Sequence, residues 1–124
     1  MKQIVITKNG GTDVLRLQEK EDPIPGKDHV KIRVKACGIN FADILARKGL
    51  YPDAPPKPCV VGYEVSGIVE SVGEGVDNNM MGRAVLALIK FGGTRMSSLR
   101  QFFRYLKNQN PYRLKIAPQF PSHI

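Results

Sequence analysis

The chain has 124 residues with 9 prolines, 12 glycines, 2 cysteines and a formal charge of +8. That length suits one domain with one core, and two cysteines, Cys37 and Cys59, are too few for a disulfide scaffold or a metal knuckle. The excess charge argues against a nucleic-acid surface because it is not spread along the chain: residues 1–91 carry 13 basic and 11 acidic side chains, residues 92–124 carry 6 basic and none acidic.

The N-terminus alternates apolar with polar and holds no apolar run long enough for a signal peptide or a membrane span, so a cytoplasmic location with free thiols is expected. Gln3 to Thr7 and Val14 to Leu17 are β-prone and flank Lys8-Asn9-Gly10-Gly11-Thr12, which predicts a hairpin. After the breaker cluster Asp22 to Gly26, the run His29 to Ala36 alternates Val30, Ile32 and Val34 with Lys31, Arg33 and Lys35, a strand with one wet face. From Asn40 the period becomes helical: Phe41, Ile44, Leu45 and Leu50 share a stripe, and Gly49 is placed to end the helix. Pro52, Pro55, Pro56 and Pro58 exclude a central strand from 51–58 and predict an ordered loop. Two more apolar extended runs, Tyr63 to Val72 and Ala84 to Lys90, are separated by a Gly- and Asx-rich turn at 73–79. The fold class expected is mainly β with short helices, as a partly open barrel.

The run VKACGINFADILARKGLYPDAPPKPCVVGYEVSGIVESVGEGVD, Val34 to Asp77, resembles the medium-chain dehydrogenase/reductase superfamily, and within it the zinc-free quinone oxidoreductase (zeta-crystallin) and VAT-1-like branch. The resemblance rests on an ordered string of glycines, prolines and a G-x-N-x-x-D element, and it implies the N-terminal chaperonin-10-like (GroES-like) β-barrel. Full-length relatives add a Rossmann domain that binds NADPH. Residues 1–93 are therefore expected to form the GroES-like substrate domain, with the Rossmann domain absent and the barrel truncated. No bound cofactor is expected on this chain alone. Zinc-dependent relatives place Cys two residues after the glycine matched by Gly38 and His directly after the one matched by Gly62. Asn40 and Tyr63 stand there instead, an amide and a phenol in place of the usual zinc donors, so no metal is expected.

Without a metal, polarising a carbonyl falls to hydrogen-bond donors. The resemblance implies Asn40 and Tyr51 as catalytic residues, and Asn40, Phe41 and Tyr63 as positions that contact cofactor. Each has a plainer reading. Asn40 can simply cap the helix, Asp43 can answer the helix dipole, Tyr51 can anchor the loop, and Phe41 and Tyr63 can fill core space. Gly73-Glu74-Gly75 is half a dinucleotide fingerprint without a strand-to-helix context and is read as a turn. His29 and His123 are isolated and receive no role.

After Gly93 the family pattern stops. A relative continues in the manner of G-G-Y-A-E-x-V and then V-F-x-I-P, whereas this chain reads TRMSSLRQFFRYLKNQNPYRLKIAPQFPSHI. A one-nucleotide shift inside Gly92-Gly93-Thr94 permits GGYADVVSAPVFPIPEK in the alternative frame, and the codons of Gln101 to Leu106 constrain that reading to the family's strand. Residues 94–124 are accordingly expected to be a frameshift product with premature termination. The rival reading makes the tail a device: Ser98 capping a helix near 98–108, with Leu99, Phe102, Phe103 and Leu106 on one face and Arg100, Arg104 and Lys107 beside it, docking on a membrane or a partner's groove. The expected function is the substrate-side domain of an NADPH-dependent reductase of quinones or enones, inactive alone. The alternatives are a non-catalytic binding barrel and an inert pseudogene product. No nucleic-acid or membrane partner is expected from the main reading, while exposed strand edges or the tail suggest homo-oligomers.

Overall fold

The computed structural model describes residues 1–88, 100–104 and 114–116, the last two segments as backbone only. The opening hairpin forms as β1 (Lys2–Ile6) and β2 (Leu15–Glu19), antiparallel, with Ile6 opposite Leu15 and a 3-10 turn at Thr12–Val14 between them. β3 (His29–Cys37), α1 (Phe41–Lys48), β4 (Glu64–Val72) and β5 (Ala84–Leu88) follow. Two further strands, β6 (Arg100–Arg104) and β7 (Leu114–Ile116), complete a five-stranded antiparallel sheet in the order β6-β3-β4-β5-β7. Among the described residues the two sheets do not close on one another through strand pairing. No helix among the described residues is long and apolar enough to cross a membrane.

The period-2 pattern of β3 decides which face is inside. Val30, Ile32 and Val34 are buried, and on the neighbouring strands Val65, Val69, Val85 and Ala87 meet them. Each of these Val and Ile side chains taken fully from water contributes about 1.5–3 kcal/mol. On the other face Arg33 donates to Glu70 at 2.9 Å, and Lys31 lies 3.4 Å from the same carboxylate. Gly67 sits where β3 and β4 come too close for a side chain, since a Cβ there would fall 2.2 Å from the Arg33 carbonyl oxygen.

Four expectations are revised. The single core is two clusters: the one above, and a second of Ile6, Val14, Ala46, Cys59 and Val61 beneath the hairpin, α1 and the Pro-rich loop. That loop is fastened to β1 by paired backbone bonds, Ile6 N–H to Cys59 O at 2.8 Å and Cys59 N–H to Ile6 O at 3.0 Å. In α1 the expected stripe is not the buried face. Asp43 and Ala46 are buried while Phe41 and Leu50 are 72% and 66% exposed, because one acceptor-rich side chain, not the aromatic ring, is directed inward.

The helix expected near 98–108 is also replaced: residues 100–104 form β6, with His29 opposite Arg104 and Arg33 opposite Arg100. The outer edge of β3 offers free N–H and C=O groups, and a Gln-Phe-Phe run has strong β propensity, so pairing wins over the local helical period. The outer edges of β3 and β5, expected to be bare, are thus paired with β6 and β7. The rest of 98–108, the proposed break at Gly92 to Thr94 and His123 lie outside the described residues.

Candidate substrate site

Where β3 ends, the chain turns into α1 at Asn40, whose backbone is extended (φ −107°, ψ 158°) as a helix N-cap requires. Asp43, three residues on, returns its carboxylate to the start of the helix: Oδ2 accepts from the Asn40 N–H at 2.8 Å. Its other oxygen, Oδ1, accepts from the Gly62 N–H at 2.9 Å across a span of 19 residues. Gly62 has φ +107°, a conformation L side chains avoid, which turns its amide toward Asp43. The carboxylate is only 6% exposed, and a buried anion is tolerated when both oxygens receive such charge-assisted bonds. One side chain therefore fixes the helix N-terminus that carries Asn40 relative to the strand entry that carries Tyr63. At the far end of α1, Gly49 adopts the left-handed conformation (φ +78°) and ends the helix, releasing the chain into Tyr51 and the Pro-rich loop.

Tyr51 and Tyr63 meet edge to face, with ring centroids 6.3 Å apart and planes at 87°. The Tyr63 hydroxyl is fully enclosed. Burial, then the adjoining Tyr51 hydroxyl and the charges of Asp43 and Asp53, push its ionisation well above the usual phenol value. Tyr63 thus stays neutral at any physiological pH. The linkage has a definite sign. Above pH ~10 the unfolded chain's phenol ionises while the buried one keeps its proton, so stability falls as pH rises further. Tyr63→Phe is expected to flatten that alkaline limb in urea melts taken between pH 8 and 11, and an unchanged slope would contradict the burial of this hydroxyl.

Three of the sequence-predicted site residues are thereby connected: Asn40 through Asp43 to Gly62, whose neighbour Tyr63 meets Tyr51. Asn40 and Tyr51 are partly exposed. Phe41 begins α1 with its ring outside, so the core reading of Phe41 fails and it remains available to a partner surface. Tyr63 is interior at its hydroxyl, and sequence reasoning missed the Gly62 amide as the second partner of Asp43; only the glycine itself hinted at a special backbone there. Glu64 lies against Gly38, where a Cβ would come within 1.9 Å of its Oε1. Both cysteines are free, and burial raises the Cys59 thiol against the opposing pull of Lys57. Among the described residues no three His, Cys, Asp or Glu side chains gather closely enough to hold a metal ion.

Comparison with known proteins identifies the family. The family model for the alcohol dehydrogenase GroES-like domain matches residues 26–101. The rat synaptic vesicle membrane protein VAT-1 homolog is 43% identical over 94 residues, covering 74% of this chain and 23% of that protein. The crystal structure of the human VAT-1 homolog-like protein aligns with a TM-score of 0.83 at 33% identity, over 98% of this chain and 37% of that one. The Escherichia coli quinone oxidoreductase, solved in complex with NADPH, aligns with a TM-score of 0.74 at 34% identity over 84% of this chain and 31% of that one. The chain spans about a quarter of the length of the curated VAT-1 relatives it matches. It belongs to the alcohol dehydrogenase GroES-like domain family, within the quinone oxidoreductase and VAT-1 branch of the medium-chain dehydrogenase/reductases.

Proposed function

We propose that this domain forms the substrate side of a zinc-independent, NADPH-dependent oxidoreductase acting on quinones or enones, and that a nucleotide-binding domain must be joined to these residues for turnover. The observation that carries the reading is the Asp43 clamp, which holds Asn40 at the head of α1 with both carboxylate oxygens already spent on backbone amides. Asn40 and Tyr63 occupy the two positions where zinc-dependent relatives carry Cys and His, which supports chemistry based on hydrogen-bond donors.

The half-buried amide of Asn40 and the exposed ring of Phe41 beside it fit one edge of a nicotinamide. The turn at Gly73-Glu74-Gly75 lies between β4 and β5 and is tied by backbone bonds to Asp28 and His29. Bound to the other domain, NADPH would supply the hydride. Asn40 donates an N–H to the substrate oxygen as negative charge gathers on it. Tyr51 lines the substrate beside that oxygen, and Tyr63, neutral and enclosed, braces the Tyr51 ring from behind. The proton that completes the reduced oxygen comes from solvent.

A titration of the isolated chain with a benzoquinone, followed by NMR, tests the substrate side alone. The Asn40 side-chain amide and the Tyr51 ring are expected to shift together. Asn40→Ala is expected to abolish the response and to cost ~1 kcal/mol of stability as a lost cap. Shifts confined to other surfaces would overturn the assignment.

A further inference from the structure

Between the β1–β2 hairpin and α1 lies a cavity of about 320 Å³, within the size range of small-molecule sites, roughly 300–1,000 Å³. Its walls are mainly aliphatic, including Ile4, Leu17, Ile39 and Ile44. Leu17 and Ile39 stand at 55% and 74% exposure, an arrangement that leaves apolar surface in water. Three charged side chains also line it: Arg16, Arg47 and Asp43. The Asp43 oxygens are both occupied by backbone amides, which leave its negative charge in place, so the three charged groups of the lining sum to +1. The arginines are held differently. Arg16 Nη1 donates to the carbonyls of Asp13 and Leu15, and Arg47 Nη1 to that of Gly10 at 3.1 Å. Neutral carbonyls aim a guanidinium without cancelling its charge, and the ion pairs among the described residues include neither arginine. The cavity thus couples an apolar interior to two oriented cations whose remaining N–H groups suit a carboxylate.

We propose that this cavity binds a monomeric anionic amphiphile, a medium-chain carboxylate whose tail lies against the aliphatic walls and whose head pairs with Arg16 and Arg47. The cavity adjoins the candidate site through Asp43, which also bonds the Asn40 N–H, but its lining includes neither Asn40 nor Tyr51, and the proposal does not depend on the reductase reading. An uncharged alkane would satisfy the walls and ignore the arginines. A flat bilayer would meet the arginines and leave the interior unfilled.

The test is calorimetric titration of the full chain with dodecanoate below its micelle concentration, with dodecanol and dodecyltrimethylammonium as the neutral and cationic arms. One dodecanoate per chain is expected, binding at least tenfold more tightly than either control. Arg16→Gln and Arg47→Gln are each expected to weaken it about tenfold, the loss of one charge-assisted contact. Arg16 is exposed, so its variant keeps the fold even where Arg47→Gln, on the helix, does not; thermal melts of both verify this. Equal affinity for the cationic amphiphile, no 1:1 site, binding to anionic vesicles but not to monomeric dodecanoate, or a dimer that shuts dodecanoate out would each overturn the proposal.

Discussion

Asp43→Leu is expected to destabilise the domain by about 2–5 kcal/mol, a large part of the ~5–15 kcal/mol that holds a typical domain together. The estimate follows from what is left behind. Removing the carboxylate strands the N–H groups of Asn40 and Gly62, bonded to it at 2.8 and 2.9 Å. An unpaired buried donor costs about 1–3 kcal/mol, which applies in full to the Gly62 N–H and in part to the half-buried Asn40 N–H. The relief of no longer burying a charge offsets part of this, since replacing a buried ion by an apolar group of similar volume is often tolerated, but here the partners are fixed backbone groups that cannot be removed with it. Asp43→Asn keeps one acceptor and turns an N–H toward the other donor, so about half the loss is expected. Urea unfolding of the two variants gives the comparison, and a leucine variant within 0.5 kcal/mol of the parent would show that water reaches these amides.

The second large effect concerns a position with no side chain. Gly67→Ala would place a methyl 2.2 Å from the Arg33 carbonyl oxygen and 2.8 Å from the Ile32 Cγ2 atom. Neither neighbour can yield cheaply: one is backbone inside the β3–β4 ladder, the other a fully buried core side chain. β3 would have to part from β4 at the centre of the five-stranded sheet. A loss of about 3 kcal/mol or more is expected, at the upper end of what overpacking produces. Far-ultraviolet dichroism during a thermal melt reads it directly. Gly82→Ala is the contrasting control, because no atom lies within 4 Å of the added methyl and only the positive φ of 77° is penalised, by about 1–2 kcal/mol.

Local patterns in the sequence carried most of the fold. The alternation in β3, the period change at Asn40, the stop at Gly49 and the turn near 73–79 are short-range signals, and each element formed within two residues of its expected bounds. What stayed hidden depends on distant partners. The side of α1 that faces inward is chosen by the Gly62 amide, which draws Asp43 in and leaves Phe41 outside. The second cluster exists because Cys59 pairs with Ile6 across the chain. Residues 100–104 carry a credible helical period and still form a strand, since the open edge of β3 determines their conformation. The candidate site was legible as residue identities at Asn40, Tyr51 and Tyr63. Their connection through one carboxylate was not.

The central claim is that this barrel supplies the substrate half of a hydride-transfer site. The most direct measurement is NADPH oxidation by a hybrid in which residues 1–93 replace the corresponding segment of the E. coli quinone oxidoreductase, set beside the isolated 124-residue chain. The hybrid is predicted to consume NADPH only when a quinone or enone is present, with Asn40→Ala lowering the rate about 10²-fold, the usual cost of removing one donor to a developing oxyanion. The isolated chain is predicted to show no turnover, because hydride transfer needs the nicotinamide held by a nucleotide-binding domain. A hybrid that folds and binds NADPH yet reduces neither substrate class would contradict the account.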